Sequence, residues 1–201
     1  MKTKTDRKTD SKKAEMTINE KAIAEGIRKG ENHAVREFYN SFGGLLTSVC
    51  SRYITNDDDV KDILQESMIS IITNIQSFEY KGVGSLKAWS ARIVVNHALG
   101  FLRQKKRSNE LFIDSGKDIP DQDAETPPNI DDIPADDVLE MIRELPDGYR
   151  MVFNLYIIEG RSHKEISQLL GIKADSSASQ LHRAKAILAK KITEYKKRQA
   201  L

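Results

Sequence analysis

Apolar residues recur along this chain at steps of three and four, the spacing that keeps side chains on one face of a helix. Val35, Phe38, Phe42, Leu45 and Val49 follow it, and so do Val60, Leu64, Met68, Ile71 and Ile75. Thr17 and Glu20 stand at capping-box separation ahead of Ile23 and Ile27, which predicts a short helix there. Asn56 precedes Asp57, Asp58 and Asp59, so it can cap a helix whose acidic first turn suits the positive end of the helix dipole. Gly82 and Gly84 mark a loop, after which Ser85 can cap a helix through Leu102. That helix is apolar nearly all round (Leu86, Trp89, Ile93, Val94, Val95, Leu99), so it should be central.

The same period returns after residue 135. A helix from Asp136 turns Val138, Met141, Ile142 and Leu145 inward and stops at Pro146. The next carries Tyr149, Val152, Phe153, Tyr156 and Ile157, and Gly160 can end it. Ser162 and Glu165 form a second capping box ahead of Ile166, Leu169 and Leu170, and Gly171 closes that short helix. A long basic helix follows from about Ser176, with Leu181, Ala184, Leu188, Ile192 and Tyr195 on one face. Short helix, brief turn and long basic helix read as a helix-turn-helix or as an ordinary αα-hairpin. No segment alternates with the period of a strand, so the predicted fold is all-α.

Between these halves lies a stretch with four of the five prolines and few large apolar residues. From Asp114 to Asp137 it carries nine acids against Lys117, a composition that repels itself and makes a flexible linker. The chain therefore divides into a tail at 1–16, a helical domain at 17–107, an acidic linker at 108–135 and a helix-turn-helix domain at 136–201. The 201 residues suit two small domains. Charge changes the picture further: the formal net charge is only +2, but ten bases against three acids fall between Arg161 and Arg198. Arg103, Lys105, Lys106 and Arg107 add a basic knot before the linker. Segregated bases suit a polyanion, with nucleic acid foremost, or are solvated faces.

Enzyme chemistry finds little support. His33, His97, His163 and His182 are dispersed, no phosphate-binding glycine loop is present, and Cys50 falls among apolar helix positions as a buried thiol. A single cysteine excludes an internal disulfide, and no stretch reaches the roughly 18 apolar residues of a membrane span. The charged start has no secretory core, so the expected compartment is the cytoplasm. Ser179, His182, Arg183 and Ala186 share a face beside the apolar stripe of the last helix, where Ser and Arg can reach base edges and phosphates. The Phe78-Glu79-Tyr80-Lys81 loop and the basic knot suit single-stranded nucleic acid. Asn96, the polar exception on its helix, can satisfy a backbone group or hold an extruded base.

Taken in order, these stretches resemble the extracytoplasmic-function (ECF) sigma factors of bacterial RNA polymerase, in the sigma-seventy superfamily. Asp59-Val60-Lys61-Asp62-Ile63-Leu64-Gln65-Glu66 resembles their polymerase-docking helix. Ser77-Phe78, Leu86-Lys87-Ala88-Trp89 and Ile93-Val94-Val95-Asn96, ending in bases, resemble their minus-ten region. Leu145-Pro146 through Leu169-Leu170-Gly171-Ile172 to Leu181-His182-Arg183-Ala184-Lys185 is similar to their fourth region. The resemblance spans nearly everything from Ile18 to Ile192. It implies that Asp62, Gln65 and Glu66 face the clamp helices of the polymerase. It implies that Phe78, Lys87, Trp89, Asn96, Arg103, Lys105, Lys106 and Arg107 serve the opened minus-ten element, Phe78 and Asn96 holding a flipped base. Ser177, Ser179, Gln180, His182, Arg183 and Lys185 would serve the minus-thirty-five element.

The implied partners are core RNA polymerase, promoter DNA and an anti-sigma factor, with no cofactor, no metal, no membrane insertion and no catalysis by the chain itself. Three features depart from the family pattern: Val60 replaces a small residue, Gly100 an aspartate, and Asp175-Ser176-Ser177-Ala178 the usual Gly-Thr-Val-basic start of the recognition helix. Two other readings are a helix-turn-helix regulator that binds duplex DNA without polymerase, and a helical adaptor that binds protein only.

Overall fold

The computed structural model describes residues 18–108 and 132–199. The tail, Thr17 and most of the acidic linker lie outside the described residues. The first lobe is α1 (Glu20–Arg28), α2 (Asn32–Ser51), α3 (Asp57–Asn74) with a closing 3-10 turn, and α4 (Ser85–Ser108). The second is α5 (Ala135–Arg143), α6 (Asp147–Phe153) running into a π turn (Asn154–Ile158), α7 (His163–Leu170) and α8 (Ala174–Gln199). Among the described residues there is no strand, and the fold is all-α.

Local signals form the helix starts as expected at two places. Asn56 accepts from the N–H groups of Asp58 and Asp59, capping α3. Ser162 and Glu165 exchange bonds as a capping box on α7, and Gly171 ends that helix in the left-handed conformation, φ +65°, which suits a residue without Cβ. Two others differ. Asn19 caps α1 by accepting from Ala22 N–H. Glu20, expected to complete that cap, is buried and accepts from Leu86 N–H at 2.9 Å, so α1 caps α4. Ser85 instead donates to the Gly82 carbonyl.

Packing rotates two of the predicted stripes. The buried face of α3 is Val60, Ile63, Ser67 and Ile71, whereas Leu64 and Met68 are half-buried beside α2. Ser67 can be buried because its hydroxyl donates to the Ile63 carbonyl at 2.7 Å. After α6, the π turn inserts an extra residue, so Leu155 and Asn154 turn inward and Tyr156 and Ile157 face solvent, contrary to expectation. On α8 the stripe Leu181, Ala184, Leu188 and Ile192 is buried as predicted, and Tyr195 donates to Asp137 on α5 at 2.6 Å.

The second lobe begins earlier than residue 136. Ile133 is buried against α5 and α8, and Asp132 pairs with Lys196. Its apolar core is divided. Ile133, Met141, Ile142, Leu145, Ala184, Leu188 and Ile192 form one cluster, while Met151, Val152, Leu155, Ile166 and Leu181 continue the core of the first lobe. The two lobes are therefore packed together.

Candidate nucleic-acid interface

The exposed strip of α4 is narrow because most of the helix is buried: Leu86, Ser90, Val94, Val95, Ala98, Leu99 and Leu102 all face the core. What remains outside at helical spacing is Arg92, Asn96 and Arg103, all exposed. Asn96 faces solvent, so it is not a satisfied core residue. Arg92 completes the strip one turn earlier. Sequence reading missed it because the helix looked apolar all round; its i, i+4 relation to Asn96 is the signal that finds it.

The other minus-ten candidates separate. Phe78 is 4% exposed, packed on Trp89 with ring centroids 5.3 Å apart, and Arg28 lies over its ring at 5.9 Å. Arg28 also donates to the Ile75 and Phe78 carbonyls, fixing the loop. Buried in this way, Phe78 offers no ring face for stacking, contrary to its expected role; half-buried Trp89 adjoins the polar strip instead. Lys87 is exposed on the opposite side of α4. Lys105 shares that side and pairs with Asp59 on α3 at 3.3 Å. The side chains of Lys106 and Arg107 lie outside the described residues.

On α3, Asp62, Gln65 and Glu66 are all exposed and lie within about 100° of helix circumference. Glu66 approaches His97 of α4 at 3.7 Å. Beside this face, a groove of about 950 Å³ runs between α2 and α3, lined by Tyr39, Leu46, Leu64, Gln65, Met68 and Ile72 among others. Tyr39 stands at its rim with 61% of its surface exposed.

On α8, Ser179, His182 and Lys185 are exposed. Arg183 is half-buried and donates to the Tyr149 hydroxyl at 3.3 Å. Gln180 is half-buried, facing Leu102 and Arg103 of the first lobe across a small cavity. Ser177 is fully buried, its hydroxyl 2.9 Å from His163 Nδ1, and Tyr156 stacks on the His163 ring at 4.6 Å. The Ser177 side chain therefore cannot reach DNA, and it serves to hold α7 against α8. Ser177 stands at i−4 from Leu181, so the apolar stripe extended backwards would have found it.

No group of three or more His, Cys, Asp or Glu that could hold a metal occurs among the described residues, and none of their helices is long and apolar enough to cross a membrane. Burial pushes the Cys50 thiol up to about 11, away from nucleophilic use. The arrangement offers acidic, polar and basic surfaces for binding.

Two family models match. One described as sigma-70 region 2 covers residues 38–108, and one described as sigma-70, region 4 covers 135–188. The chain is 27% identical over 190 residues to the ECF RNA polymerase sigma-E factor of Haemophilus influenzae, covering 87% of this chain and 96% of that protein. It is 26% identical over 183 residues to the ECF RNA polymerase sigma factor SigW of Bacillus subtilis, covering 84% and 94%. Among solved structures, the sigma factor RpoE in complex with the anti-sigma factor NepR from Bartonella quintana is similar at 19% identity and a TM-score of 0.46, over 79% of this chain and 96% of that one.

Proposed function

The chain belongs to the sigma-70 family, as an RNA polymerase sigma factor of the ECF type, and from that premise we propose how its surfaces divide promoter recognition and DNA opening. Core polymerase docks on Asp62, Gln65 and Glu66. The observation that carries this is their shared exposed face on α3, while Val60, Ile63, Ser67 and Ile71 of the same helix are taken up in packing. Asn96, with Arg92 and Arg103 along one strip and Trp89 beside it, takes the opened minus-ten element: an amide can hydrogen-bond an extruded base, and the arginines neutralise its phosphates. Ser179, His182, Arg183 and Lys185 read the duplex minus-thirty-five element from α8.

RNA synthesis belongs to the polymerase, so the chain needs no cofactor and no catalytic group of its own, and it works in the cytoplasm. An anti-sigma factor is the inhibitory partner that the family resemblance implies. A helix-turn-helix regulator acting without polymerase leaves the sigma-70 region 2 match over 38–108 unexplained. The test is core binding by the double variant Asp62→Lys, Glu66→Lys. Affinity for core should fall on the order of tenfold, as for reversal of charges at an interface, with the circular dichroism unchanged. Unaltered core affinity in the folded variant overturns the docking assignment.

A further inference from the structure

Of the α8 side chains assigned to the minus-thirty-five element, Ser179, His182 and Lys185 are exposed, whereas Arg183 is half-buried. Its Nη1 donates to the hydroxyl of Tyr149 on α6 at 3.3 Å. Tyr149 is itself firmly held. Its ring packs against the cluster that includes Met141, Ile142, Leu145, Ala184 and Leu188. The next residue, Arg150, is 3% exposed and donates to the Arg143 and Leu145 carbonyls and to Asp147, which fixes the first turn of α6. The hydroxyl that receives Arg183 therefore stands on a rigid support.

Both side chains are half-buried at the surface of the lobe, where water can serve either group. Neither needs the other to avoid an unpaired burial, so the bond acts chiefly on direction. An arginine gives up more rotamer freedom than most side chains when it is ordered. It reads a guanine by presenting two N–H groups together to O6 and N7. A guanidinium has five donors, so it can direct one at a fixed phenol and still offer a pair to a base edge. Anchoring at Nη1 sets the plane and reach of the fork before DNA arrives, and less ordering remains for the binding step. In this way α6 bears on sequence reading, although it carries none of the side chains assigned to DNA.

We propose that Tyr149 is a positioning residue for the minus-thirty-five element: its hydroxyl orients the Arg183 fork toward a G·C pair and so sets the strength of the preference there. The inference rests on the sigma-factor reading of α8. A Tyr149 that only supported the lobe would affect the grip on every sequence alike. A positioning Tyr149 affects the Arg183 position alone.

The experiment uses holoenzyme assembled from core polymerase and the full chain. The probe is a promoter library randomised over both elements, the upstream one duplex and the downstream one premelted. Unsubstituted holoenzyme should select an upstream motif, and Arg183→Ala should erase the preference for a G·C pair at one position of it. Tyr149→Phe keeps the ring in its cluster. It should lower the preference at that same position by ~3- to 10-fold, as for loss of one hydrogen bond, and leave the other positions unchanged. Added to Arg183→Ala, it should change nothing further, because the two side chains act as one unit. A preference unmoved by Tyr149→Phe, one lowered evenly at all positions, or an equal loss with Arg183 already removed overturns the positioning role. So does an upstream motif that survives Arg183→Ala intact, or an Arg183-dependent position that is not a G·C pair. In the free protein, nitrogen NMR of the Arg183 guanidinium reads the anchor without DNA: rotation of the Nη groups should be slow in the unsubstituted chain and faster in Tyr149→Phe. Equal rotation in the two overturns the anchor. A holoenzyme that selects no motif counts against the sigma-factor reading and against recognition through Arg183, while the free-protein spectrum still decides whether Tyr149 holds the side chain.

Discussion

At the start of α4 the Leu86 N–H is taken by Glu20, sixty-six residues earlier in the chain; at the start of α7 the Glu165 N–H is taken by Ser162, three residues away. The first lobe thus holds its central helix with a group that arrives only when α1 has docked, so its helices form together. The second lobe sets its helix-turn-helix by short-range bonds: the capping box, the Gly171 turn and the His163–Ser177 contact across it. If the first lobe grips opened DNA as proposed, it needs a stiff platform for its narrow polar strip. A helix-turn-helix needs chiefly one angle, between α7 and α8, to be right.

The largest effect that tests this contrast is expected at Glu20. Glu20→Ala removes a buried charged acceptor and leaves the Leu86 N–H unpaired, which should cost about 2 kcal/mol, the usual size for a hydrogen bond to a charged group. Trp89, the single tryptophan, lies in the first lobe and reports its unfolding in urea. Glu20→Gln keeps an acceptor and should recover part of the loss. Equal stability of Glu20→Ala and the unsubstituted protein would mean that α4 holds its own start.

A smaller loss is expected at His163. His163→Ala leaves the buried Ser177 hydroxyl without its partner and removes the ring on which Tyr156 stacks, costing ~1–2 kcal/mol. Adding Ser177→Ala, which removes the stranded hydroxyl and adds no bulk, should restore much of it. Hydrogen exchange of the α7 and α8 amides reads both. If the second substitution deepens the loss, the pair is not the pin between the helices.

The same contrast governs what could be read before the structure. Asn56, the Ser162–Glu165 box and Gly171 act on neighbours within a turn, so residue type and spacing revealed them. The Leu86 N–H taken by Glu20 and the Tyr53 carbonyl that receives Arg150 Nε lie far from their partners in sequence, and only packing brings them together. Ser177 was misjudged, and Ser67 passed over, because a hydroxyl reads as exposed until a partner for it, His163 or Ile63 O, is known. The π turn after α6 rotated Tyr156 and Ile157 outward, which no apolar period announces. Asn96 was legible as a polar break, but its exposed companion Arg92 was hidden by the apolar residues around it.

The smallest expected effect depends on pH and belongs to the local lobe alone. The Glu165 carboxylate accepts from the Ser162 N–H and hydroxyl, both at 2.8 Å, and pairs with Arg161 at 3.1 Å. The Ser162 N–H first, then its hydroxyl, then Arg161 hold the carboxyl down at about 2. In the unfolded chain a glutamate titrates near ~4.3. The folded protein therefore binds this proton less readily than the unfolded one, and the box contributes in full above the unfolded value and is lost as pH falls through about 2. Glu165→Gln keeps an acceptor but has no carboxylate to protonate. Exchange protection of α7 relative to α3 should decline between about pH 5 and pH 2 in the unsubstituted protein and stay nearly flat in Glu165→Gln. Parallel decline in both proteins would show that acid reaches α7 by another route, through α1 and α4 or the contact between the lobes, and the second lobe would then be less self-contained than its local bonds imply.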